Sequence, residues 1–156
     1  MDAAPGPAVS EILSADWTPL GTHRWRFVRP ILSMEIAGDF TVADFDAYVA
    51  TYRKLWTVER NFGLLANAAG MNGTYPEVRR RIVKELPSDG PAIPIAVLGA
   101  SLTLRTVLTL VSNAHRLLFG DQPSIGFFAN EPAARAWLLL RVAERARKLD
   151  PLAGRR

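Results

Sequence analysis

Pro94-Ile95-Ala96-Val97-Leu98-Gly99 runs directly into a long apolar segment at 102–119, and the strand-like run 124–129 opens Asn130-Glu131-Pro132-Ala133-Ala134-Arg135-Ala136-Trp137-Leu138. Each unit is a short apolar run followed at once by a helix-forming stretch. Asn130 suits the capping position before a helix, and Pro132 lies in the first turn, where a missing N–H costs nothing. Strand-then-helix units in series imply a parallel sheet covered by helices.

The same rhythm extends upstream. Residues 62–68 are almost all apolar, as a central parallel strand requires. Residues 69–73, Ala-Gly-Met-Asn-Gly, read as a flexible turn before a helix that runs to about residue 86. Thr74 with Glu77 forms a capping-box pair for that helix, and Thr41 with Asp44 forms another at residue 41. After Thr41, the residues Phe45, Tyr48, Val49, Tyr52 and Trp56 recur at helical spacing. Residues 22–29 and 31–37 alternate as half-buried strands, with Gly38-Asp39 turning the chain. Residues 1–20 read as a flexible tail with a helical turn near 11–13, residues 21–150 as one α/β domain, and residues 151–156 as a basic C-terminal tail. The expected order is β-β-α-β-α-β-α-β-α, a mixed sheet with a parallel core and helices packed on it.

Hydrophobic residues make up 49% and charged residues 22% of the 156, enough for a real core. There are no Cys residues, which excludes disulfides, thiolate nucleophiles and zinc–thiolate sites. No apolar run approaches the roughly 20 residues that span a bilayer, and the N-terminus lacks the pattern of a signal peptide. A cytoplasmic protein without stable membrane insertion is expected. The net charge of +4 sits wholly in residues 131–156, where seven basic side chains face three acidic ones. No basic-and-aromatic signature accompanies that excess, so nucleic acid is not the expected partner.

Candidate chemistry is sparse. Gly99-Ala100-Ser101-Leu102-Thr103 has a Ser between strand and helix, as in a nucleophile elbow, but Thr103 replaces the second glycine. His115 lies about 20 Å along the same helix from Ser101, too far to act as its base. Hydrolysis by Ser101 is therefore the weakest reading, and helix capping by Ser101 or Thr103 the stronger one. Two histidines, without carboxylates at ligand spacing, do not make a metal site, and no phosphate loop or dinucleotide fingerprint occurs. No cofactor is expected. Arg79-Arg80-Arg81 fans around its helix as a solvated face. The segment 102–119 is apolar on more than one side: Leu104, Val107, Leu108, Val111 and Leu118 make a core stripe, while Leu110, Ala114 and Leu117 lie off it. Such a helix needs a cover, which leaves a second helix, another subunit or an apolar ligand open. Trp137 reads either as an interface aromatic or as a ring folded back onto the sheet.

Ile31-Leu32-Ser33-Met34-Glu35-Ile36-Ala37-Gly38, the run 95–101, and Phe127-Phe128 followed by Ala134-Arg135-Ala136-Trp137-Leu138 together resemble the SpoIIAA-like superfamily, the fold of STAS domains and their SEC14-type relatives. The resemblance implies a non-catalytic regulatory module that binds a protein partner, in the manner of anti-sigma-factor antagonists. In those domains a phosphorylated Ser or Thr sits at the start of the helix after the third strand. The position corresponds here to Thr74, without the surrounding Asp-Ser-Ser/Thr-Gly motif. Thr74 is accordingly the candidate switch. Tyr75, Arg79, Leu110, Ala114, Leu117 and Trp137 are the candidate partner or ligand surface. A homodimer through 102–119 and a small apolar ligand or lipid, as in SEC14-type relatives, are the alternatives to a protein partner.

Overall fold

The computed structural model describes residues 10, 13–85, 93–120 and 124–150. Among the described residues six strands form one sheet in sequential order: β1 (Thr18–Leu20), β2 (His23–Val28), β3 (Ile31–Phe40), β4 (Gly63–Thr74), β5 (Ile95–Leu98) and β6 (Ile125–Phe128). The first three strands pair antiparallel and the rest parallel. The helices bounded within the described residues are α1 (Val42–Val58), α2 (Pro76–Glu85), α3 (Leu102–Phe119) and α4 (Glu131–Leu149). The fold class is thus α/β, with a mixed sheet and a parallel core.

Strand periodicity divides the core in two, because successive side chains point to opposite faces. Trp25, Phe27, Leu32, Met34, Leu64 and Ala66 meet Phe45, Tyr52 and Leu55 of α1 and Val78 of α2 on one face. Ile31, Leu65, Ala96 and Leu98 meet Ala134 and Leu138 of α4 on the other. The Thr41 capping box forms as its spacing predicts, with the Asp44 N–H and the Thr41 N–H each bonded to the other side chain.

Four expectations need correction. The sheet begins before residue 21: Thr18–Leu20 pairs with residues 23–25 across a tight turn, Thr18 opposite Trp25, so the last part of the supposed tail is an edge strand. Gly38-Asp39 does not end β3, and residues 69–73 do not form a turn. Instead β3 and β4 stay paired to Phe40↔Thr74 through two register shifts, at Glu35/Ala37 and Gly38/Asp39. Glycine there serves irregular pairing rather than reversal. Thr74 consequently ends a strand. The carbonyl of Tyr75 accepts the Arg79 N–H, which makes Tyr75, not Thr74, the residue at the capping position of α2. Of the turn expected near 11–13 only Leu13 is described, and it lies in a turn; residues 11–12 and the tail 151–156 fall outside the described residues.

Gly99 shows why the β5–α3 connection is as it is. Its φ is +64°, and a Cβ there would come within 2.7 Å of the Ala69 backbone. Only glycine lets the end of β5 lie against β4 at that point.

Candidate functional site

α2 and α3 lie side by side at the parallel end of the sheet and leave a trough between them. Its outer part, about 560 Å³, is lined by Pro76, Arg79, Arg80, Val107, Leu110, Val111 and Ala114. Its inner part, about 530 Å³, opens at the carboxyl ends of β4 and β5, where Asn72, Ser101 and Thr103 add polar groups. Arg79 and Val107 line both parts. The trough is therefore apolar along the helices and polar at the strand ends.

Sequence reasoning marked Arg79, Leu110 and Ala114, and the fold brings these three into one groove. Leu117 lies further along α3 and is 82% exposed, as is Leu102, while Leu110 is 63% exposed. The expected core stripe of α3 is narrower than its sequence suggests. Val111 is buried together with Ser112 and His115, whereas Leu104, Val107 and Leu108 are only half-buried. Leu118 lies where no side chain is described. The reason is the area beneath the helix. α3 has 18 residues and so is about 27 Å long, but the edge strand β6 under it has four, about 13 Å.

Tyr75 sits beside the trough, and its hydroxyl donates to Asp39 Oδ2 at 3.0 Å. That bond, with the carboxylate's charge, raises the phenol's pKa above its ordinary 10.0. The same contact ties the extended end of β3 to the start of α2. Arg81, expected on a solvated face, instead forms a fork with Asp46 of α1, its Nη2 lying 2.9 Å from both carboxylate oxygens. Asp46 and Asp44 do point to different sides of α1, as their spacing predicts.

Trp137 belongs to the opposite face. Its ring packs 5.4 Å from that of Phe128 and beside Gly126, where a Cβ would lie 3.3 Å from the indole. The Arg141 guanidinium covers it at 5.5 Å. It is a ring folded onto the sheet and takes no part in the trough. The basic character of α4 is also partly internal. Arg135 pairs with Glu131, Arg141 pairs with Glu144, and Arg145 is buried, donating to the Arg60 carbonyl and to Asn61 Oδ1.

Ser101 is the N-cap of α3, its Oγ accepting the Leu104 N–H at 3.1 Å. His23 stands on β2, three strand spacings from β5, about 14 Å across the sheet. Neither imidazole is placed to activate that hydroxyl. His23 has a different task. Its buried ring accepts the Ala37 N–H at Nδ1, so the ring proton resides on Nε2, which lies 3.2 Å from Asp44 Oδ2. Burial opposes the charge on Asp44. The hydrogen bonds from the Thr41 N–H and the Thr41 hydroxyl, with the His23 imidazole close by, outweigh it and hold the carboxyl below its ordinary 3.8. The carboxylate stands between imidazole and hydroxyl, so the arrangement is a clamp joining β2, the β3 irregularity and α1. Neither His23's role nor the continued pairing of β3 was legible in advance, because both depend on a register shift.

Among the described residues no three His, Asp or Glu side chains gather as metal ligands, and no helix is long and apolar enough to cross a membrane. No protein-family model matches the chain, and no curated protein is significantly similar to it.

Proposed function

We infer that the protein is a non-catalytic, STAS-like module that docks a protein partner on its α2–α3 face. The observation that carries this reading is the open apolar groove between those helices, continued by the exposed Leu102 and Leu117. An apolar groove that stays open to solvent marks an interaction surface more than a folding surface. The partner's chemistry follows from the charge around the groove. α3 carries no acidic residue, and Arg79 and Arg80 line the α2 wall of the groove. The surface fits an amphipathic helix whose apolar stripe is flanked by carboxylates. The SpoIIAA-like assignment belongs to the same proposal. What supports it is the element order over residues 23–149 and the sequential strands of the parallel half. The Thr74 switch is part of the same proposal: a phosphate at residue 74 would stand next to the α2 N-terminus and alter the edge of the groove.

A photo-crosslinking side chain at position 110, used in native cells, is expected to capture one discrete protein. Arg80→Glu and Leu117→Glu should each reduce that capture at least tenfold with the fold unchanged, and Thr74→Glu should alter it. A crosslink only to a second copy would make the face a homodimer interface. An apolar molecule retained in native mass spectrometry, without a crosslink, would favour the small-ligand or lipid alternative. Either result overturns the proposal, as does capture that survives both charge reversals.

A further inference from the structure

The face of the sheet that carries α4 is not fully covered. α4 lies over β4, β5 and β6, which leaves the β2–β3 ledge open beside it. A cavity of about 200 Å³ sits on that ledge between Trp17 and the first turns of α4. Three guanidiniums converge there, from Arg24, Arg26 and Arg135.

The strand register decides how they are compensated. Arg24 stands opposite Glu35 and pairs with it at 2.6 Å. Arg135 pairs with Glu131 at 2.7 Å. Arg26 stands opposite Ser33, and no carboxylate pairs with it among the described residues. Its Nε is buried and has no hydrogen-bond partner. The guanidinium is held in place by Trp17, whose ring lies 4.6 Å from it and 4.4 Å from that of Arg24. A buried donor on a fixed cation, left without an acceptor, is costly unless something supplies one.

We propose that this ledge is a binding site for a small oxyanion, phosphate or carboxylate, received by the Arg26 fork. The planar guanidinium matches both groups in a two-pronged contact, which a point charge does not. The volume limits the ligand. It is smaller than the roughly 300–1,000 Å³ typical of organic-ligand pockets, so the site takes an inorganic anion or the acid group of a small molecule. The site is on the opposite side of the sheet from the α2–α3 groove and is independent of what docks there.

Trp17 supplies the readout, because its ring touches the two guanidiniums. The indole N–H resonance of Trp17, identified with Trp17→Phe, is followed during titration with sodium phosphate, sodium acetate, and sodium chloride at matched ionic strength. Phosphate or acetate is expected to give a saturable shift with half-saturation at or below about 1 mM, and the stronger of the two identifies the preferred anion. Arg26→Gln should abolish saturation. Arg26→Lys, which keeps the charge and the stem but loses the fork, should weaken it at least threefold and decides the matter if the Gln variant does not fold. Unchanged indole signals of Trp25, Trp56 and Trp137 report an intact core. A chloride shift equal to that of the oxyanions, no saturation with either oxyanion, or an Arg26→Lys titration identical to the native one overturns the proposal.

Discussion

α3 and α4 differ by one residue in length and each follows a four-residue strand, yet they end in opposite environments. α4 holds four arginines and a lysine, and it buries Ala134, Leu138, Val142 and Arg145 along one line against the sheet. α3 has six leucines to the four of α4, and it leaves Leu102, Leu110 and Leu117 63–82% exposed, against 46–54% for Leu139, Leu140 and Leu149 of α4. The comparison teaches that apolar content does not bury a helix. The area offered beneath it does. α4 crosses three strands, whereas α3 stands at the edge over one of them and beside α2. The leucines that the fold leaves uncovered are available for a partner.

The largest expected effect comes from attacking the buried helix. Leu138 is 0% exposed, and its Cδ2 would lie 2.9 Å from any Cβ placed on Gly63. Leu138→Ala therefore opens a cavity that the glycine backbone cannot fill, and should cost about 2–5 kcal/mol in chemical denaturation. Leu102→Ala on α3 should shift the same midpoint by less than about 0.5 kcal/mol. Equal losses at the two positions would break the contrast.

How much of that contrast was legible depends on which link is asked about. The bounds of β5 and α3 are readable, because an apolar run against a glycine and a Ser cap leaves little choice. That α3 carries surplus apolar surface is readable too, since periodicity is a local property. Which side of it stays open is not, because that depends on how many strands lie below. The helical spacing of Leu104, Val107 and Leu108 suggests burial, yet Ser112 and His115 take the inner positions beside Val111. The glycines at 70 and 73 mislead for a related reason. Glycine is compatible with both a turn and a bulged strand, and only the partner strand decides. Arg26 is hidden most completely. Its isolation is a fact of register, set by facing Ser33 instead of Glu35.

A middle-sized effect tests the clamp that joins β2, β3 and α1 on the other face of the sheet from α4. The Asp44 carboxyl is easier to ionise in the folded protein than in the unfolded chain. The unfolded chain therefore binds the proton more readily, and the contribution is complete above the ordinary carboxylate value and lost as pH falls through the lower folded one. Asp44→Asn cannot titrate. Its urea midpoint should lie below the native one at pH 6, by the roughly 1 kcal/mol of a helix cap. The gap should close as pH falls below about 3.8. A gap that stays constant between pH 6 and pH 3 would show that the carboxylate's charge contributes nothing to the clamp.

The smallest expected effect is the one that gives the comparison its functional meaning. Leu117 is 82% exposed, so Leu117→Ser removes an apolar side chain that the isolated fold does not bury. Stability at low micromolar concentration should change by less than about 0.5 kcal/mol. The protein should also become more soluble, because the exposed strip on α3 is shortened. A loss as large as that of Leu138→Ala would mean that the leucine is covered in solution. A thermal midpoint that rises with protein concentration in the native chain, and not in Leu117→Ser, would then name a second copy as the cover. A midpoint independent of concentration in both, with partner capture lost only in the variant, leaves the strip as a surface kept open for a different protein.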